Sequence, residues 1–295
     1  MFPLERIDDI KNHPNDFKLL ERVPLTRNDV LERLPLKFTD MVPGERVCAV
    51  VFLDTETTGM SAPSDKIIEL GMVRCTFSLD RKIILSVDRY YDAYEDPKRP
   101  IPPEITVLTG ISDEMVRGKH FDDHTILNFF VDHPLIVAHN ARFDRPFVDR
   151  RFGAIANNAW ACSQREIDWN KVGFNGAKLE FLLQSAGYFY DAHRACNDTL
   201  SLCYLMHLYP EAFAQLIDSS LSVTYRIDAY KSPFSTKDVL KEHNYRWDSD
   251  NKVWYIQVSG QQEAIDQVQF LETVYPEAKQ AVQITAFTAK ERYRS

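Results

Sequence analysis

The stretch Ala49-Val50-Val51-Phe52-Leu53-Asp54-Thr55-Glu56-Thr57-Thr58-Gly59 decides how the rest of the chain is read. Its first five residues are apolar and two of them are β-branched, which predicts a strand buried on both faces. Asp54 and Glu56 follow, one residue apart, and side chains at i and i+2 of a strand share a face. The segment therefore presents two carboxylates together at the end of a buried strand. Two such anions repel each other and resist desolvation. A hard divalent cation, Mg²⁺ or Mn²⁺, takes oxygen ligands of this kind and relieves both costs.

Working outward, 295 residues suffice for one full core and a smaller module. The chain is 44% apolar and 26% charged, the balance expected of an ordinary soluble protein. No run of about 18 apolar residues occurs, so no membrane partner is expected. The N-terminus carries early acids and no apolar core segment, so no secretory signal is read there. The five cysteines (Cys48, Cys75, Cys162, Cys196 and Cys203) form no CxxC pair. Such a scattered, odd set predicts reduced thiols and a cytoplasmic location. The net charge of −8 argues against a protein that coats nucleic acid by bulk charge. It leaves room for an enzyme that meets a few phosphates through metal ions.

Residues 1–46 are cut by Pro3, Pro14, Pro24, Pro35 and Pro43 and read as an N-terminal helical arm. The main domain, 47–212, begins with the opening strand. Segments 66–75 and 82–91 read as an antiparallel hairpin turning at 78–81. Helices follow at 103–109, 112–117 and 121–133, then a short buried strand at 135–139. Further helices are expected at 142–152, 178–186 and 196–207. Early antiparallel strands followed by strand–helix alternation predict an α/β domain with a mixed sheet. Residues 220–295 read as a small α+β module: strand, short helix, hairpin, a helix over 261–274 and a last strand.

Two further stretches hold acids where a site would need them. His139-Asn140-Ala141-Arg142-Phe143-Asp144 lies where a buried strand meets a helix, and ligand sites in α/β sheets favour strand C-terminal ends. Asp144 falls in the first helical turn, where a carboxylate also suits the dipole, and Asn140 can serve as an N-cap. His193-Arg194-Ala195-Cys196-Asn197-Asp198 opens another helix. A spacing of five does not put two side chains on one helical face, so His193 must come from the preceding loop to meet Asp198. A loop histidine that titrates near neutral pH suits a general base.

Together these stretches resemble the DEDDh family of 3′-to-5′ exonucleases, most closely the proofreading type represented by the epsilon subunit of bacterial DNA polymerase III. The DxET motif matches Asp54-Thr55-Glu56-Thr57, NxxFD matches Asn140, Phe143 and Asp144, and HxAxxD matches His193, Ala195 and Asp198. Ile68-Glu69-Leu70-Gly71 and Leu108-Thr109-Gly110-Ile111 also look like family landmarks. The resemblance implies a ribonuclease-H-like mixed sheet flanked by helices. It implies two divalent ions, Mg²⁺ or Mn²⁺, held by Asp54, Glu56, Asp144 and Asp198, with His193 as general base. It places Thr55, Thr57, Thr58, His139, Asn140 and Phe143 near the terminal nucleotide. Phe143 reads either as a stacking ring or as helix packing, and His139 either as a substrate contact or as a satisfied core residue. The expected partner is a nucleic acid with a single-stranded or frayed 3′ end, DNA ahead of RNA. A DNA polymerase or sliding clamp is a further candidate, the latter through the pentapeptide-like Gln283-Ile284-Thr285-Ala286-Phe287, which reads more simply as a strand. RNA trimming and a non-catalytic adaptor role are the alternatives.

In the C-terminal module, Arg246, Trp247, Lys252, Trp254 and Tyr255 mix basic and aromatic residues across one hairpin. Such a face either stacks bases and holds phosphates or supplies a small domain's core.

Overall fold

The apolar run at 49–53 lies inside a six-stranded sheet, and both of its faces are covered. The computed structural model describes residues 4–294. In chain order the main-sheet strands are β1 (Leu36–Lys37), β2 (Val47–Thr57), β3 (Ile67–Ser78), β4 (Ile83–Tyr94), β5 (Leu135–Ala138) and β6 (Trp160–Cys162). Their spatial order is β1-β4-β3-β2-β5-β6. β2, β3 and β4 are antiparallel neighbours, whereas β5 pairs parallel to β2 and β6 parallel to β5. The fold is thus α/β with a mixed sheet, as the strand pattern predicts.

Helices cover both faces: α1 (Pro103–Thr109), α2 (Asp123–Phe129), α3 (Ala141–Arg151), α4 (Leu179–Ser185), α5 (Ala195–Leu208) and α6 (Pro210–Leu221). Strand parity decides which helix each residue of β2 meets. Val50 and Phe52 join the core built with Leu182, Leu200, Cys203 and Phe213 of α4, α5 and α6. Val51 and Leu53 join the opposite core with Ile126, Phe129, Phe147 and Val148 of α2 and α3. Each face buries apolar surface at roughly 25 cal/mol per Å², and β2 contributes to both.

Three differences from the sequence reading have physical causes. The N-terminal arm is helical only in short turns. It contributes β1 to the sheet edge, and Glu21–Arg22 pairs in parallel with Tyr188–Phe189, because prolines interrupt any longer helix. The main core extends past residue 212: α6 buries Ala212, Phe213, Leu216 and Ile217 against it. β6 goes unpredicted because three residues carry too little pattern to register.

The C-terminal module has its own four-stranded antiparallel sheet. Its strands are β7 (Thr224–Asp228), β8 (Arg246–Asp248), β9 (Val253–Ser259) and β10 (Gln283–Phe287), in the order β8-β9-β7-β10. Helices α7 (Lys237–Glu242) and α8 (Gln261–Val274) and a single turn at Ala278–Ala281 pack on it. Ile227, Leu240, Tyr245, Ala264, Leu271 and Tyr275 form its core. The pentapeptide resembling a clamp-binding motif is β10, with its backbone paired to β7. Among the described residues, no helix is long and apolar enough to cross a membrane.

Candidate active site

The same parity sorts the acids. Asp54 and Glu56 continue the Phe52 face of β2, the face that α5 covers, and α5 carries Asp198 in its first turn. Carboxylate oxygens of Asp54, Glu56 and Asp198 all lie within 4.8 Å of one another. Thr55 points to the other face, where α3 carries Asp144. One Asp144 oxygen accepts from the Thr55 backbone N–H at 3.1 Å and from the Thr55 hydroxyl at 2.9 Å. Asp144 is nearly fully buried, and its charge acts on Asp54. It stands outside the group of three carboxylates. Three of the four expected ligands thus converge on one face, and the fourth, Asp144, reaches the strand end from α3 and is the largest charge acting on Asp54.

The approach of α5 has a specific cause. Gly71 lies opposite Asp54 in the β2–β3 register. A Cβ on Gly71 would meet the Ala195 carbonyl carbon and oxygen at 2.3 Å and the Cys196 nitrogen at 2.4 Å. Only a missing side chain lets the first turn of α5 sit this close to the sheet. Glu69, opposite Glu56 and fully buried, anchors the same turn. It accepts from the Ala195 backbone N–H at 3.0 Å and from two nitrogens of Arg194 at 2.9 and 3.0 Å. Asp198 accepts from the Tyr190 hydroxyl at 2.9 Å and the Arg194 N–H at 3.1 Å. Sequence reasoning flagged Glu69 and Gly71 without their cause and missed Arg194 and Tyr190. Arg194 acts through its backbone N–H and guanidinium, which no sequence pattern marks, and nothing in the sequence marks Tyr190.

Burial pushes the four acids up, and mutual repulsion adds to it at Asp54, Glu56 and Asp144. Desolvation, then the charges of Asp144, Asp198 and Glu56, hold Asp54 well above the usual carboxylate range. Desolvation and the charge of Asp198 raise Glu56 to about 8. Burial raises Asp198 to about 6, against hydrogen bonds from Tyr190 and Arg194 that favour its charged form. Burial raises Asp144 to about 7, against the opposing bonds from Thr55. Carboxylates this unwilling to ionise together fit a polyvalent cation: three acidic oxygen donors on one face match the ligand chemistry of Mg²⁺ or Mn²⁺.

The remaining expected residues are placed as follows. His193 is exposed on the loop before α5, with φ of 61°, the left-handed region. Its charge lowers the neighbouring Asp198. His139 Nδ1 lies 2.9 Å from the Ser163 hydroxyl, and burial pulls the ring down to about 4, so it is neutral. Its Nε2 has no partner among the described residues, and the ring lines a cavity of about 70 Å³ with Asp54, Asp198 and Leu179. Asn140 occupies the position before α3 at φ 87° and makes no side-chain cap. Phe143 lies against Phe147, the rings tilted with centroids 5.2 Å apart, and packs on the core. Thr57 and Thr58 are buried, their hydroxyls engaged with the Gly59 carbonyl and with Asp65 and the Lys66 N–H. Arg99 donates to both Thr58 and Asp65.

A mixed sheet with clustered carboxylates at the end of an inner strand suits phosphoester hydrolysis, the chemistry of nucleases. The chain belongs to the exonuclease family, whose model, described as "Exonuclease", matches residues 51–206, more than half of the chain. The DNA polymerase III PolC-type protein of Clostridium perfringens is 41% identical over 102 residues, covering 34% of this chain and 7% of that protein. DNA polymerase III subunit epsilon of Treponema pallidum is 36% identical over 107 residues, covering 36% of this chain and 46% of that protein. The chain therefore spans less than half the length of either relative. A solved structure described as "Exonuclease X in complex with 5' overhanging duplex DNA" aligns at 21% identity and a TM-score of 0.44, covering 57% of this chain and 98% of that one.

Proposed function

We propose that this protein is a metal-dependent 3′-to-5′ exonuclease that removes nucleotides from single-stranded or frayed DNA 3′ ends in proofreading or repair. The observation that carries the reading is the convergence of Asp54, Glu56 and Asp198, each raised by burial, at one strand end. A structural or purely adaptor role gives no reason to gather such carboxylates where phosphates must approach. The names of the relatives support DNA over RNA and a link to a polymerase.

In this reading Asp54, Glu56, Asp144 and Asp198 hold the divalent cations, Asp144 reaching them from the facing helix. When bound, a pair of such cations supplies activation of the attacking water and stabilisation of the leaving oxygen. The residues do the rest. His193 accepts the proton of the attacking water, a role suited to an exposed loop imidazole beside Asp198. Thr55 holds Asp144 in place. The neutral His139 presents its free Nε2 beside Asp54, and Asn140 and Phe143 border the terminal nucleotide. The C-terminal module holds the single strand through Trp247, half-exposed beside Trp254 with ring centroids 5.6 Å apart, and Arg246.

The test is timed digestion of matched 5′-labelled DNA and RNA oligonucleotides with Mn²⁺, Mg²⁺ or EDTA. A cation-dependent ladder on DNA, lost in His193→Ala, is expected. Faster RNA digestion would move the substrate to RNA. Tight binding with no ladder on either would overturn the enzyme reading.

A further inference from the structure

The last residues of the chain leave the accessory module and return to the exonuclease domain. After β10, the segment 288–294 runs along the free edge of the main sheet, where the Trp160 N–H of β6 donates to the Ala289 carbonyl at 2.8 Å. Arg145, the residue after Asp144 on α3, is fully buried. Its guanidinium donates to the carbonyls of Lys290 and Arg292 and, at 3.5 Å, to that of Ala289. The same group donates to the Ala156 carbonyl at 3.0 Å, pairs with Asp149 at 3.3 Å and lies over the Trp160 ring at 5.6 Å. The segment is itself held by a second buried hub. Glu166 accepts from the Tyr293 hydroxyl at 2.6 Å, from Arg292 at 3.1 Å and from the Cys162 N–H at 2.8 Å. Arg292 also donates to the Ser219 and Ser222 carbonyls of α6 and its end.

From this we infer that the segment 288–294 is a clasp that positions helix α3, with Arg145 as a positioning residue for Asp144. The inference rests on the exonuclease reading. Helix α3 is pinned at two successive residues: Asp144 to Thr55 of β2 on the inner side, Arg145 to the clasp on the outer side. A buried guanidinium keeps its place only while its donors are matched by acceptors. Without the clasp, Arg145 loses three carbonyl partners and keeps only the Ala156 carbonyl and Asp149, so its guanidinium is opened to water on that side and α3 loses its outer support. That displaces Asp144 from the strand end. Removing the module therefore also removes a support of the active site, so a truncated protein loses turnover and not only affinity for the strand.

The experiment compares the full chain, a chain ending at Phe287, and full-length Arg145→Lys. Each is assayed on a 5′-labelled single-stranded DNA oligonucleotide with Mn²⁺, and each is melted with and without Mn²⁺. Loss of the clasp is expected to lower kcat about tenfold or more with KM nearly unchanged, the pattern of a misplaced reacting group. It should also shrink the Mn²⁺-induced rise in melting temperature. Arg145→Lys, which keeps the charge but cannot fork to several carbonyls, should show the same split if the shortened chain does not fold. A cooperatively folded shortened chain with full kcat overturns the inference, as does a change in KM alone. Absence of digestion by the full chain would instead count against the exonuclease reading; the Mn²⁺ melting shift then decides the clasp, supporting it if the shift shrinks in either variant and overturning it if the shift is unchanged in both.

Discussion

Thr55 gives Asp144 two hydrogen bonds, one from its backbone N–H at 3.1 Å and one from its hydroxyl at 2.9 Å, both to the same carboxylate oxygen. Thr55 sits between Asp54 and Glu56, yet parity turns it to the opposite face of β2. It is thus the residue through which the two faces of the sheet communicate at the site. Thr55→Val keeps the shape and removes the hydroxyl. A buried carboxylate that loses one donor is left about 1–3 kcal/mol worse off, and about 1.4 kcal/mol of that expressed in the transition state is tenfold in rate. We expect kcat to fall about tenfold with KM little changed, and Thr55→Ser to restore most of it. Steady-state kinetics of the two variants checks this; equal kcat for Thr55→Val and wild type would contradict it.

The raised acids make metal-free stability depend on pH. Unfolded carboxylates titrate near 4, whereas Glu56 in the folded chain titrates at about 8 and Asp198 at about 6. Between those limits the folded state holds more protons than the unfolded one, so stability is greatest at the acid end and is lost as pH rises through the folded values. Buried neutral His139, pulled down to about 4, opposes this trend below about 6.5 and not above it. In EDTA the melting temperature should therefore fall from pH 6.5 to pH 8. Mn²⁺ or Mg²⁺ takes over from the protons, so its stabilising effect should be larger at pH 8. Glu56→Gln should flatten the EDTA profile. A melting temperature in EDTA that is flat or rising over this range would contradict the site's electrostatics.

Gly71 offers a test of how α5 reaches the sheet. In Gly71→Ala the new Cβ would strike backbone atoms of Ala195 and Cys196 at 2.3–2.4 Å, and backbone cannot swing aside as a side chain does. Forcing atoms into a packed site typically costs about 1–3 kcal/mol. The first turn of α5 must lift, taking Asp198 with it. The expected result is a lower melting temperature together with a loss of activity greater than the folded fraction explains. A variant with normal stability and turnover would show that α5 does not depend on this close contact.

Most of this architecture was legible because β2 reads the same locally and globally. Five apolar residues and two alternating acids specify both a buried strand and the face on which a cation would sit. The helices bearing Asp144 and Asp198 were legible for the same reason, since apolar periodicity and an early acid agree. What stayed hidden depends on contacts between distant residues. Nothing in the spacing of Asp144 says that it comes from the opposite face, because that follows from which core covers α3. Glu69 and Gly71 were visible as a pattern, but their role follows from the α5 backbone lying over them. The 288–294 segment carries no periodic pattern in the sequence, and only the buried guanidinium of Arg145, 143 positions before Thr288 in the chain, gives it a purpose.

The two tryptophans of the β8–β9 hairpin separate holding the strand from holding the module together. Trp247 and Trp254 are directly cross-strand partners on one face. Trp254 packs against the module core, whereas Trp247 remains 51% exposed at the edge strand. Base–aromatic stacking is worth about 1–3 kcal/mol per base, or about fivefold to a hundredfold in affinity. Trp247→Ala should thus weaken single-stranded DNA binding by about tenfold, raise KM accordingly, and leave kcat and the melting temperature unchanged. Trp254→Ala should instead lower the melting temperature of the module, since it removes a large, partly buried ring packed on the module core. Fluorescence titration of a labelled oligonucleotide, run beside thermal melting of both variants, distinguishes the two roles. Unaltered affinity in a folded Trp247→Ala protein would mean that the strand does not cross this face.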